Sequence, residues 1–213
     1  VFPGTGSWST TSATAVIADA NDPTSEVSGL TVGQHDFTWT IDNGPCGSSS
    51  DQMSVFIYDA NQPAATAGPD QELCTPQTST TLAGNSVTFP GTGLWTVIAG
   101  NGAFADASNP NTGVSGLSIG TNTFRWTITN GPCGTTQDEV TIVVFDGNLA
   151  ASNAGPDQQI CTPASSVTLQ GSGVSAPAVG TWVFASGSAN ISNANNPNAT
   201  LSGLTVGTYV LQW

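Results

Sequence analysis

Thr123-Phe124-Arg125-Trp126-Thr127-Ile128-Thr129-Asn130-Gly131-Pro132-Cys133-Gly134 sets apolar side chains at every second position and then stops at a Gly-Pro corner. Phe124, Trp126 and Ile128 fall on one face and Thr123, Arg125 and Thr127 on the other, the alternation of a half-buried strand. The run returns 87 residues earlier as Trp39-Thr40-Ile41, followed by Asn43-Gly44-Pro45-Cys46-Gly47. Other pairs share the offset: 95 − 8, 133 − 46 and 161 − 74 all equal 87. Phe2-Pro3-Gly4-Thr5-Gly6 matches Phe89-Pro90-Gly91-Thr92-Gly93, and Ala67-Gly68-Pro69-Asp70-Gln71 matches Ala154-Gly155-Pro156-Asp157-Gln158. A fixed period of this size, without insertion or deletion, marks a tandem array of domains.

The complete copy, 67–146, reads as about seven short strands separated by Gly, Pro and Asn turns. Besides the quoted run, Val140–Phe145 is β-branched and Leu94–Ile98 ends at Gly100-Asn101-Gly102. Shorter candidates are Gln71–Leu73, Thr80–Leu82, Ala103–Ala105 and Thr112–Val114. No segment holds a helical period. The expected fold is all-β: tandem immunoglobulin-like antiparallel β-sandwich domains. The domains are 1–59 (its N-terminal part missing), 67–146, and 154–213 (its C-terminal part missing), with linkers at 60–66 and 147–153. Either the chain is a window of a longer array, or neighbouring chains complete each other's sandwiches. Gly116-Leu117-Ser118-Ile119-Gly120 and its counterparts at 29–33 and 203–207 mark a corner in which the Leu plugs the core edge. The uncharged linkers, seven residues each, suit a semi-rigid rod.

Charged residues make up 7% of the chain, with one Arg or Lys against fourteen Asp and Glu. This balance leaves no basic footprint for nucleic acid and disfavours an anionic membrane surface. Without a run of about 18 apolar residues, nothing here inserts directly into a membrane. With no Lys and one His, neither a Ser-His-Asp nor a Cys-His arrangement can be assembled, so the chain reads as no enzyme. His35, replaced by Asn122 and Tyr209 in the other copies, is expected to be an exposed strand residue.

Each repeat pairs one cysteine near its first strand with one after its sixth. The first reading bonds Cys74 to Cys133 within the middle domain, leaving Cys46 and Cys161 to partners outside the window. The rival reading staples Cys46 to Cys74 and Cys133 to Cys161 across the linkers. Recurrent cysteines in an array imply an oxidising, extracellular setting at the cell surface.

Four acids flank the linkers: Asp59 and Asp70 at the first, Asp146 and Asp157 at the second. Carboxylates on both sides of a joint are candidate ligands for interdomain Ca²⁺; as turn formers they need no metal, and the expectation is no cofactor otherwise. Trp8, Trp95 and Trp182 are register equivalents, as are Trp39, Trp126 and Trp213. All six are expected in cores, the alternative being an exposed aromatic row that stacks on sugars. Asn190-Ile191-Ser192 and Asn198-Ala199-Thr200 match the glycosylation sequon, which makes Asn190 and Asn198 candidate acceptors.

Ala-Gly-Pro-Asp-Gln-x-x-Cys opening a repeat, Gly-Leu-x-x-Gly in its middle and Phe-x-Trp-Thr-Ile-x-Asn-Gly-x-Cys near its end resemble a known repeat class. It is that of the immunoglobulin-like and PKD-like repeats of giant Bacteroidota surface proteins, including gliding-motility adhesins. The resemblance implies type IX secretion and the shaft of an adhesin or surface filament projecting a distal adhesive element. Partners would be neighbouring repeats, other filament chains or surface polysaccharide.

Overall fold

The computed structural model describes residues 5–213. The first Phe-Pro-Gly motif, at 2–4, lies outside them. In the first repeat the strands are β1 (Thr5–Thr10), β2 (Val16–Ile17), β3 (Val27–Ser28), β4 (Gly33–Asp42) and β5 (Ser48–Ile57). The second contains β6 (Gln71–Cys74), β7 (Ser79–Thr81), β8 (Thr92–Ala99), β9 (Ala103–Phe104), β10 (Gly113–Ser115), β11 (Gly120–Thr129) and β12 (Thr135–Phe145). In the third are β13 (Ser166–Thr168), β14 (Val183–Ser186), β15 (Asn190–Ile191), β16 (Thr200–Ser202) and β17 (Val210–Gln212).

The second repeat is a two-sheet sandwich, with β6-β12-β11-β8 facing β7-β10-β9. Its core follows from the period of two. Phe124, Trp126 and Ile128 on β11 and Val140, Ile142 and Val144 on β12 are at most 1% exposed. They close on Leu82, Trp95, Val114 and Leu117 from the rest of the repeat. Leu117 plugs the corner as expected, and Gly116 before it takes φ +73°, a left-handed conformation that glycine adopts without strain. On the outer face of the same hairpin, Arg125 stands opposite Glu139 and bonds it at 2.6 Å, an exposed pair worth about 0–1 kcal/mol.

The expectation of a purely antiparallel sandwich needs one correction. The first strand, β6, runs parallel to the last, β12, with Gln71 beside Ile142 and Cys74 beside Phe145. A chain that enters a domain at one end and leaves at the other must run its first and last strands in the same direction, and here they are neighbours in one sheet.

Trp126 and Trp95 are directly paired across β11 and β8, with ring centroids 5.1 Å apart. The pair recurs as Trp8–Trp39 at 5.1 Å and Trp182–Trp213 at 5.0 Å. Two residues before the first Trp of each pair is a glycine, and a Cβ on Gly6, Gly93 or Gly180 would collide with the partner ring. Gly-x-Trp is therefore one packing unit. Trp95, Trp126 and Trp182 are at most 3% exposed, as expected for core residues. Trp8, Trp39 and Trp213 are only half-buried. In the second repeat Gly84 lies against both rings, and Gly171 (84 + 87 = 171) does the same in the third.

His35 also corrects its expectation, being buried at 4% exposure. Its Nε2–H donates to the Thr31 carbonyl at 2.8 Å, so Nδ1 accepts the Ser12 hydroxyl at 2.7 Å. Asn122 fills the same role in the second repeat, where Nδ2 donates to the Ser118 carbonyl at 2.9 Å and Oδ1 accepts from Asn101 N at 3.0 Å. In the third, the Tyr209 hydroxyl accepts from Thr205 N at 3.0 Å and donates to Thr205 O at 3.3 Å. Three unlike side chains latch one corner, four residues upstream each time. Their chemical variety, which pointed to an exposed site, instead reflects one shared requirement. Each of the three reaches back to the backbone with its own polar group.

Trp95→Ala should destabilise the second repeat by about 3–5 kcal/mol in denaturant unfolding, as for other large aromatic truncations. A loss near zero would mean that the indole contributes no packing.

Candidate functional site

The features that distinguish this chain from three isolated domains gather at the joint between the first and second repeats. Its linker, 60–66, is not a free tether. Ala65 N donates to the Thr136 hydroxyl and Ala67 N to the Asp138 carboxylate, both at 2.8 Å. Asn85 clamps the other side, its Oδ1 accepting from Thr66 N at 2.8 Å and its Nδ2 donating to Ala64 O at 3.0 Å. Gln62 reaches the same repeat, donating to Ser86 O at 3.1 Å and accepting from Thr88 N at 2.8 Å. The last residues of the linker thus form an edge of the second sandwich, with Ala65 and Ala67 buried.

The first repeat meets this edge through its exit. Asn130, at the start of the β11–β12 turn, donates from Nδ2 to Asp59 O at 2.7 Å. Gly131 comes so close to Tyr58 that a Cβ there would run into the phenol ring. The turn reaches this position because Gly131 takes φ +51° inside a single 3₁₀ turn, Gly131–Cys133, closed by Asn130 N donating to Gly134 O at 2.8 Å. Sequence reasoning missed these contacts. A signal was present in the aromatic residue that ends each repeat, Tyr58 and Phe145 (58 + 87 = 145).

All four cysteines are exposed and free. The Cys74–Cys133 pairing is overturned by strand length. Cys74 lies beside Phe145 at the far end of β12, while Cys133 precedes Thr135 at its near end. An eleven-residue strand spans roughly 33 Å, whereas disulfide-bonded Cα atoms lie within about 7 Å. The rival Cys46–Cys74 link fails too. Cys46 sits in the turn at the entry end of the first repeat and Cys74 at the exit end of the second.

The acids at the joints have local duties. Asp59 Oδ1 accepts from Asn61 N at 2.8 Å and Asp146 Oδ1 from Asn148 N at 2.9 Å, each closing a turn. Asp70 Oδ1 accepts from Thr141 N at 2.8 Å, tying the entry of β6 to β12. Among the described residues no group of three or more His, Cys, Asp or Glu is gathered for a metal, Asp157 included. Asp106 closes another such turn: the Ser108 hydroxyl, then its backbone N–H, hold the carboxyl below its usual range. Asn190 and Asn198 are both exposed. A shallow groove of about 300 Å³ runs beside Trp8, Trp39 and Met53.

Two outcomes are expected. Asn130→Ala should broaden the distribution of distances between spin labels on the first two repeats, with a stability loss of about 0.5–1.5 kcal/mol for the lost hydrogen bond; an unchanged distribution would show that the bond does not hold the joint. A carboxyl with a depressed pKa stabilises the fold above its unfolded value and loses that contribution as pH falls through the folded one. Asp106→Asn should therefore flatten part of the drop in melting temperature below pH ~4, near the carboxylate reference.

Comparison with known proteins agrees with this architecture. The family described as K319L-like, PKD domain, matches residues 67–144 and 154–213. The mouse dyslexia-associated KIAA0319-like protein is 29% identical over 202 residues, 87% of this chain and 19% of that protein. The mouse homolog of dyslexia-associated protein KIAA0319 is 30% identical over 206 residues, 89% of this chain and 19% of that protein. The chain spans about a fifth of the length of these curated relatives. A solved PKD domain from the KIAA 1837 protein is 29% identical, covering 45% of this chain and 92% of that one with a TM-score of 0.35. No catalytic family is indicated. These relatives are animal proteins, and the expected kinship with bacterial gliding-motility adhesins gains no support from them. The family match extends over more than half of the sequence, and the chain belongs to the K319L-like PKD domain family.

Proposed function

We propose that the chain is a segment of the shaft of an extracellular adhesin or surface filament, a row of PKD-like sandwiches that holds a distal adhesive element away from its anchor. The observation that carries this reading is the joint. Asn130 bonding Asp59 and Tyr58 seated on Gly131 hold one repeat end-on against the next. The parallel first and last strands make the second repeat a through-passage, and repeats built the same way add length. Buried Trp95, Trp126 and Trp182 count against an aromatic row for stacking on sugars. A surface of Thr, Ser, Asn and Gly with no lysine suits the outside of a cell, where the recurrent cysteines also fit. No helix among the described residues is long and apolar enough to cross a membrane.

Small-angle scattering of the 213-residue chain tests the reading. Three repeats in line, each with strands of roughly 33 Å, give a maximum dimension on the order of 100 Å. That extent should persist on adding either calcium or EDTA. A compact particle would sink the shaft, and a joint that loosens in EDTA would restore calcium to it. Specific capture of a polysaccharide from a glycan array would favour the repeats as a binding surface in their own right.

A further inference from the structure

The two cysteines of a repeat stand at its opposite ends, yet the array brings cysteines of successive repeats to the same joint. At the first joint, Tyr58 receives Gly131, and Cys133 follows two residues later on the same exposed turn. The position of Tyr58 is taken in the second repeat by Phe145 (58 + 87 = 145). Beside Phe145, its Cα partner across the parallel pair, is Cys74. Thr75 N donates to Phe145 O at 3.0 Å and Gly147 N to the Thr75 hydroxyl at 2.8 Å, which fixes Cys74 at the exit. Its Sγ lies 3.4 Å from where a Cβ on Gly147 would stand, against the start of the next linker. The face that receives a neighbour's turn is therefore the face that displays a repeat's own first-strand thiol.

We propose that consecutive repeats are joined by a disulfide between the cysteine at the Cys74 position of one repeat and the cysteine at the Cys133 position of the next. The separation is 133 + 87 − 74 = 146 residues. Cys74 bonds the turn of a completed third repeat, whose cysteine position, 133 + 87 = 220, lies beyond Trp213. By the same register, Cys133 pairs with the first-strand cysteine position of the first repeat, 74 − 87, which falls outside this sequence. Every joint gains one bond, and no repeat closes on itself. This arrangement gives both cysteines a role that the length of β12 denies them within one domain. Chemically, one thiolate attacks a small-molecule disulfide such as oxidised glutathione, releasing one thiol. The second thiolate then displaces the other glutathione half as a thiol, leaving the protein disulfide; the oxidant accepts the two electrons. The joint then has two covalent connections, the linker and the disulfide, so tension is shared across its width. Such a bond serves a shaft and a binding array alike.

The test extends the 213-residue chain by a copy of residues 127–146, which continues the third repeat from Trp213 in the register of the second. After equilibration in a glutathione redox buffer, thiol labelling and non-reducing peptide mapping should link Cys74 to the appended turn cysteine. Cys46, Cys133 and Cys161 should remain labelled, and Cys74→Ser should return the appended thiol to the labelled pool. A Cys74–Cys133 peptide, or Cys74 still reduced in a chain whose tryptophan emission is native, would overturn the proposal. A second measurement uses the parent chain alone. Tyr58→Cys places a thiol on the receiving face of the first joint, and a short bis-maleimide should join it to Cys133. Failure of that crosslink, with both thiols reactive to a single maleimide, would show that the turn does not present its cysteine to the joint.

Discussion

The parallel pairing of β6 with β12 is the constraint from which the rest of the molecule follows. An antiparallel first strand would bring the chain in at the end where it leaves, and repeats would fold back on each other. With first and last strands running together, entry and exit lie at opposite ends. The β11–β12 turn is then at the entry, where it meets the exit of the repeat before. Joint contacts, cysteine positions and the direction of the array all depend on this single strand pair. Its own hydrogen bonds are few, since β6 is only four residues long. It is held from the side as well, by Asp70 bonding Thr141 N and by Gln71 bonding both Thr80 and Thr81.

Within a repeat, stability rests on the paired tryptophans and the glycines that make room for them. Two pairs sit side by side in one sheet and the third just beyond the ends of β14 and β17; in all three the rings tilt at 40° to 50°. Gly93 and Gly84 border the pair of the second repeat from two directions. The same geometry in all three repeats means that a single packing solution is reused. Polar groups around it vary more freely. His35, Asn122 and Tyr209 close equivalent corners through different atoms, because the requirement is a hydrogen bond to the backbone four residues back, and each reaches it with its own geometry.

The repeats and most of their strands were legible in the sequence. Alternation along 123–128, the β-branched run 140–145 and the Gly-Leu-x-x-Gly corner place β11, β12 and Leu117 where they stand. The joint was far less legible. The linkers read as short joints of a semi-rigid rod, but nothing in them named what holds them: Ala64 to Ala67 become an edge of the next domain through bonds to Thr136, Asp138 and Asn85, which lie tens of residues away. Local pattern carries no information about such partners. The cysteine pairing failed for the same reason: a spacing of 59 says nothing about which end of a strand each residue occupies.

The sequence by itself determined the period, the strand content, the buried faces of the long strands and the near absence of basic charge. These are local or compositional properties, set by a side-chain alternation of two and by turn residues that tolerate unusual backbone angles. Only the tertiary structure decided that first and last strands run in parallel, that His35 is buried, and that the two cysteines of a repeat stand a strand's length apart. Those depend on strand order and direction, which arise when distant segments compete for the same sheet edge, and no short window of residues encodes the outcome.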